Sequence, residues 1–243
     1  MDRLKFAAGL CVLWIAAALC GGCNQVWIPE SQEVRLGRIV ADRIRAKSPL
    51  SKDTRWLEYI RTLGKSIAAV SDRPTYGYRF EIVDSPDVNA FAVPDGSIFM
   101  TTGLITTIGL HKQAMMGVLA HEIGHVAQRH GAERIQSELG WKGVTFLFFG
   151  WSNSLGLAAA NFGDQLIENG YGRDMELEAD LCAVRYLLRL GQSPDSTLEF
   201  LRRLPTERPA SQTPFTRYLR THPATSDRLQ YAQQYLKQNH LLP

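Results

Sequence analysis

The sequence predicts a predominantly helical α+β domain with a small antiparallel sheet beside one central helix, and three observations carry that expectation. Long stretches space their apolar residues three and four apart, the repeat of a helix buried along one face. A single interval, from Tyr78 to Thr101, instead alternates or gathers β-branched and aromatic residues around the turn Pro94-Asp95-Gly96. With 243 residues, 45% of them hydrophobic, the chain can bury one substantial core and has no need of a second.

Taken in order, the first element is an export signal at residues 1–22, leaving one domain at 23–243. Arg3 and Lys5 precede an apolar run from Phe6 to Cys20, which falls short of the roughly 20 residues that cross a bilayer. Gly21-Gly22 before Cys23 resembles the processing site of bacterial lipoproteins, although Cys20 stands where leucine is usual. That resemblance implies acylation of Cys23. With Asn24 next instead of Asp, it implies a periplasm-facing lipid anchor in the outer membrane. Of the four cysteines only Cys182 lies deep in the domain, so no intramolecular disulfide is expected there and Cys182 reads as a small buried hydrophobe. A formal charge of +3, with no basic run interleaved with aromatics, predicts no nucleic-acid surface.

Residues from about Glu30 to Lys47 and from Asp53 to Val70 read as amphipathic helices. Tyr78 to Val83, Val88 to Val93 and Ser97 to Thr101 read as the strands of the sheet. A long helix is expected from Lys112 to about Leu139, and another from Arg173 to Leu190, stopped by Gly191 and Pro194. Between them, Val144 to Ala160 is apolar but broken by Gly150, Ser152, Asn153 and Gly156, so it reads as a lid or core helix and not a membrane span. Pro194 to Leu204 and Ser226 to Gln238 read as two further helices, with a loop at Pro205 to Pro214.

The chemistry sits in the first long helix. His121-Glu122-Ile123-Gly124-His125 places two imidazoles four residues apart, on one helix face and about 6 Å apart along the axis, so both can reach one metal ion. Glu122 points from an adjacent face, where its carboxylate can act on water as a general base without being a ligand. His130, five residues beyond His125, is turned about 140° from it on a continuous helix and reads as a brace for that helix. A catalytic zinc takes a third protein ligand and keeps a fourth position open. Downstream, Glu176 and Asp180 lie four apart on one helix face: one can bind metal while the other orients a ligand histidine. Glu178 falls about 160° away from Asp180 and is not expected on that face.

These residues, together with Asn89-Ala90-Phe91-Ala92-Val93-Pro94-Asp95-Gly96, Arg129-His130-Gly131 and Thr221-His222-Pro223 with Arg228, resemble the gluzincin metallopeptidases of the CAAX-prenyl endopeptidase and HtpX-type quality-control family. The resemblance implies a zincin-like domain holding one Zn2+ through His121, His125 and Glu176, with Asp180 in support. It implies that Asn89, Ala90, Phe91 and Ala92 form an edge on which an extended substrate pairs. It also brings His222 near the metal, as a fourth ligand that keeps the enzyme latent, as a donor to the oxyanion, or as a structural residue; the oxyanion role is equally open to Arg228.

The expected function is hydrolysis of peptide bonds in misfolded or misassembled cell-envelope proteins, with those proteins and the membrane as partners. The alternative is a zinc-bearing periplasmic lipoprotein that acts as a chaperone or assembly factor with little proteolysis.

Overall fold

The computed structural model describes residues 26–138, 170–203, 216–223 and 226–241. The export signal, Cys23, the Val144 to Ala160 interval and the Pro205 to Pro214 loop lie outside the described residues. Among the described residues, thirteen elements follow in chain order. Helix α1 is Glu30–Lys47 and α2 is Thr54–Ala68, followed by strands β1 (Arg79–Val83), β2 (Ala90–Ala92) and β3 (Ser97–Thr101). Next come α3 (Thr102–Ile108), α4 (Lys112–Ala127), a helix α5 at 130–138, and α6 (Arg173–Arg189). The short helices α7 (Pro194–Thr197), α8 (Glu199–Arg203) and α9 (Thr216–Thr221) lead to α10 (Ser226–Gln238).

The sheet is the first departure from expectation: it is mixed, with strand order β1-β3-β2. The expected hairpin forms, Phe91 pairing antiparallel with Phe99, but β1 runs parallel to β3, Phe80 opposite Ile98. Two chain reversals separate β1 from β3, so the two must share a direction once they pair. Strand β3, buried along its whole length, takes the centre.

Both faces of the sheet are covered, and successive residues of β3 point to opposite sides. Ile98 and Met100 join the main core with Ile60 and Ile67 of α2 and with Met115 and Leu119 of α4. Phe99 faces the other way, stacked on Phe91 with centroids 5.3 Å apart, over Leu36, Val40 and Ile44 of α1. The stripe of α1 at those spacings is what its periodicity predicts. Helix α2 is started by Asp53, whose carboxylate accepts from the backbone N–H of Arg55 at 3.0 Å.

Helix α4 is buried on all sides from Ala114 to Ala127. It therefore shows no amphipathic stripe, as a helix through the centre of a domain should not. The expected run to Leu139 is interrupted: Arg129 adopts a φ of 63°, and a new helix starts at residue 130. Pro194 to Leu204 likewise divides into α7 and α8, the first capped by Ser193. Helix α6 crosses α4 at Gly124, where an added Cβ would lie 3.0 Å from Cys182 Cβ and 3.1 Å from the Ala179 carbonyl. A glycine costs about 1 kcal/mol in a helix interior; here it lets the two helices touch. Among the described residues, no helix is long and apolar enough to cross a membrane.

Candidate metal centre

One turn of α4 brings His121 and His125 together, their Nε2 atoms 3.1 Å apart. The close α4–α6 contact then sets Glu176 against both, Oε1 lying 3.3 Å from His125 Nε2 and Oε2 3.4 Å from His121 Nε2. His222 arrives from the end of α9, with Nδ1 3.1 Å from Glu176 Oε1 and 3.3 Å from His121 Nε2. The four ligand atoms lie within 4.8 Å of one another and all four residues are buried.

Hydrogen-bonding partners determine which nitrogens carry protons. The Ala90 carbonyl can only accept, so His222 Nε2, 3.1 Å away, donates to it, and Nδ1 is the nitrogen turned to Glu176. His130 Nε2 is 3.3 Å from the Glu178 carboxylate and donates to it; His130 Nδ1 is then the acceptor for His125 Nδ1–H at 2.8 Å, which leaves His125 Nε2 bare. His121 Nδ1 sits 2.9 Å from Asp180 Oδ1, though off the ideal hydrogen-bond line. Three imidazole nitrogens and a carboxylate thus converge, an arrangement that a cation stabilises. In the metal-free protein a proton serves instead: burial works against a charged His121, but Glu176 and Asp180 push its pKa up to about 9. His125, by contrast, is held well below its ordinary value by burial.

Arg228 lies behind the cluster. Its Nε and one terminal nitrogen donate to Asp180 at 2.6 and 2.7 Å, and the other terminal nitrogen is 3.0 Å from Glu176 Oε2. Burial opposes ionisation of Glu176, yet His222 and Arg228 hold its pKa well below 4.5. Glu122 differs from both acids. Both its oxygens are buried and make no hydrogen bond, and burial raises its pKa.

The sheet reaches the cluster through β2. Asn89 and Val93 pair with β3, so Ala90 and Ala92 turn their carbonyls to the free edge. His222 Nε2 donates to the first, and Tyr171 Oη donates to the second at 3.1 Å. Asn89 Oδ1 accepts from Thr221 Oγ1 at 3.1 Å, beside His222.

A model of peptidase family M48 matches residues 55–236. The chain belongs to that family. Among curated relatives, the beta-barrel assembly-enhancing protease of Yersinia pestis is 31% identical over 209 residues, covering 82% of this chain and 42% of that protein. The protein of the same name from Escherichia coli K12 is 28% identical over 208 residues, with the same coverage. The human mitochondrial metalloendopeptidase OMA1 is 26% identical over 202 residues, 77% of this chain and 38% of that protein. The chain therefore spans less than half the length of these relatives. M48 peptidases use zinc, and the convergent donors described above fit it: imidazole nitrogen and carboxylate oxygen are its usual ligands.

His121, Glu122, His125, Glu176, Asp180, His222 and Arg228 come together here, but Tyr171, Tyr218 and Glu178 escape sequence reasoning. Tyr171 stacks on His125, centroids 3.9 Å apart at 15°, and nothing in the Gly170-Tyr171-Gly172 triplet announces that. Gly170 has a φ of 58° and lies so close to Thr221 that a Cβ would fall 1.5 Å from its carbonyl oxygen. That contact ties Tyr171 to the His222 segment. Tyr218 stacks on His222 at 4.6 Å, one helical turn earlier in α9, a spacing that is legible in retrospect. Glu178 faces away from the metal cluster, as the helical wheel requires, yet it meets His130.

Proposed function

We propose that this chain is a zinc-dependent endopeptidase of the cell envelope, with His121, His125 and Glu176 as metal ligands and Glu122 as general base. The observation that carries the reading is the coincidence of convergent, buried donor atoms with a neighbouring buried carboxylate, Glu122, that has no hydrogen-bonding partner. A zinc ion held there would supply Lewis-acid chemistry and lower the pKa of water into the neutral range. Glu122 takes the proton of the attacking water and returns one to the leaving amine. Asp180 holds His121 in aim, and Arg228 holds Asp180 and Glu176 in register. Misassembled envelope proteins are the proposed substrates, supported by the relatives named for beta-barrel assembly; acylation of Cys23, supported by the leader, would tether the enzyme facing the periplasm.

Substrate is proposed to bind as an added strand on the Ala90 and Ala92 edge, through backbone hydrogen bonds that demand little of its sequence. Both carbonyls are engaged by His222 and Tyr171, and His222 Nδ1 also points into the metal cluster. His222 is therefore proposed as a latch that would offer a fourth donor to an ion held there while covering the edge. His222→Ala is expected to raise cleavage of unfolded casein several-fold, with zinc content unchanged. If the wild type and His222→Ala both carry zinc but cleave no unfolded protein, the peptidase reading fails and the assembly-factor alternative stands.

A side-chain pocket lies nearby. Phe200, whose ring is 6.3 Å from that of His121, and Tyr218, stacked on His222, share a mostly apolar cavity of about 170 Å³ with Leu104, Ile108, Ala114 and, on its wall, Arg203. Apolar cavities of roughly 150 Å³ hold one benzene-sized group, so the pocket suits a single large apolar side chain. Thr107 lines the same pocket and is solvent-exposed. Thr107→Phe is expected to lower kcat/KM about tenfold for peptides with Leu or Phe at that subsite. Peptides with Ala there should be unaffected, and equal loss for all peptides would refute the assignment.

A further inference from the structure

The second histidine of HEIGH is not left to its own rotamer. His125 Nδ1 lies 2.8 Å from His130 Nδ1, and His130 Nε2 lies 3.3 Å from Glu178 Oε2. His130 is 1% exposed, whereas the Glu178 side chain is 47% exposed, so the series starts at the buried centre and ends at solvent. On an unbroken helix His130 would sit about 140° around from His125 and the two rings could not meet. They meet because α4 stops and Arg129 takes a left-handed backbone, which a residue with a side chain seldom adopts. That conformation is held from outside: Arg129 Nε donates to Glu33 Oε2 at 2.8 Å, and its terminal nitrogen donates to the Ile28 carbonyl. Glu33, on the buried face of α1, also pairs with Arg73 at 3.4 Å.

We infer that His130 is a positioning residue for the metal centre: it accepts the Nδ1–H of His125 and donates its own Nε2–H to Glu178, which keeps His125 Nε2 unprotonated and aimed at the ion. This rests on the reading of His125 as a zinc ligand. It gives α6 three distinct tasks within Glu176-Leu177-Glu178-Ala179-Asp180: Glu176 in the cluster, Asp180 on His121, and Glu178, through His130, on His125. Each HEIGH histidine thus has its far ring nitrogen set against a partner, His121 Nδ1 beside the Asp180 carboxylate and His125 Nδ1 on a second imidazole.

The test is zinc affinity, measured by competition with a chromophoric chelator on the full chain, alongside the melting temperature of the metal-free protein. His130→Phe keeps a ring but loses the acceptor, and is expected to weaken zinc binding about 10-fold to 100-fold. His130→Asn keeps an acceptor where Nδ1 stood and should retain most of the affinity. Glu178→Gln, at a half-exposed position that folding tolerates, should weaken binding in the same direction by less, which keeps the inference testable if His130→Phe does not fold. Wild-type affinity in His130→Phe, or equal losses in the Phe and Asn variants tracking a lower metal-free melting temperature, overturns it. If the wild type binds no zinc, or His125→Ala binds it as tightly as the wild type, the metal-centre reading itself is wrong.

Discussion

Glu122→Gln is expected to lower kcat for peptide cleavage by about 100-fold to 10,000-fold, with zinc content and melting temperature close to wild type. The substitution is nearly isosteric, and neither Glu122 oxygen makes a hydrogen bond that the amide would lose. Folding should therefore be spared. What is removed is the only proposed proton acceptor beside the cluster, in a site where burial raises the carboxyl pKa toward the working range of a general base. His222 Nε2 lies 3.5 Å from its Oε1, so opening the latch would leave Glu122 facing the substrate. A Glu122→Gln protein that retains zinc and cleaves casein at the wild-type rate would refute its role as the base.

Arg228→Ala should be the most destabilising single change at the centre, by about 3–5 kcal/mol for the metal-free protein. Arg228 is 2% exposed and is the shared counter-ion of two buried carboxylates, Asp180 and Glu176. Removing it leaves both charges without that partner in the interior, which costs more than the intact pair gains. Bound zinc would itself neutralise Glu176, so the loss should be smaller in the loaded protein. Urea denaturation of both forms checks the comparison; equal losses with and without zinc would show that Arg228 acts independently of the metal centre.

The same network sets a dependence on pH. Despite opposing burial, Arg228 holds the pKa of Asp180 below 3.8, and His222 and Arg228 hold that of Glu176 well below 4.5. A folded-state pKa below the unfolded value stabilises above the unfolded value and is lost as pH falls through the folded one. Metal-free wild type should therefore lose stability as pH falls below about 4.5, and Arg228→Ala should flatten that slope.

Where expectation and structure part, the reason is specific. The antiparallel β2–β3 hairpin was legible from Pro94-Asp95-Gly96, but no local signal tells whether β1 joins beside β2 or beside β3. The break at Arg129 was invisible because apolar spacing continues through Ala132 and Ile135. Glu178 was set aside by a correct angular argument applied to the wrong partner, since it faces His130 and not the metal cluster. Arg228 was expected among groups that act on the oxyanion; the structure places its guanidinium on Asp180 and Glu176.

The sequence by itself determined the helical predominance, the pairing of His121 with His125 and the placement of Glu176 with Asp180, because each depends only on the repeat of a single helix. The tertiary structure alone decided that α6 would meet α4 at Gly124, that His222 would reach His121 across 101 residues, and that Tyr171 would stack on His125. Close helix contact and ring stacking depend on shape at one point in space and leave no period along the chain to read.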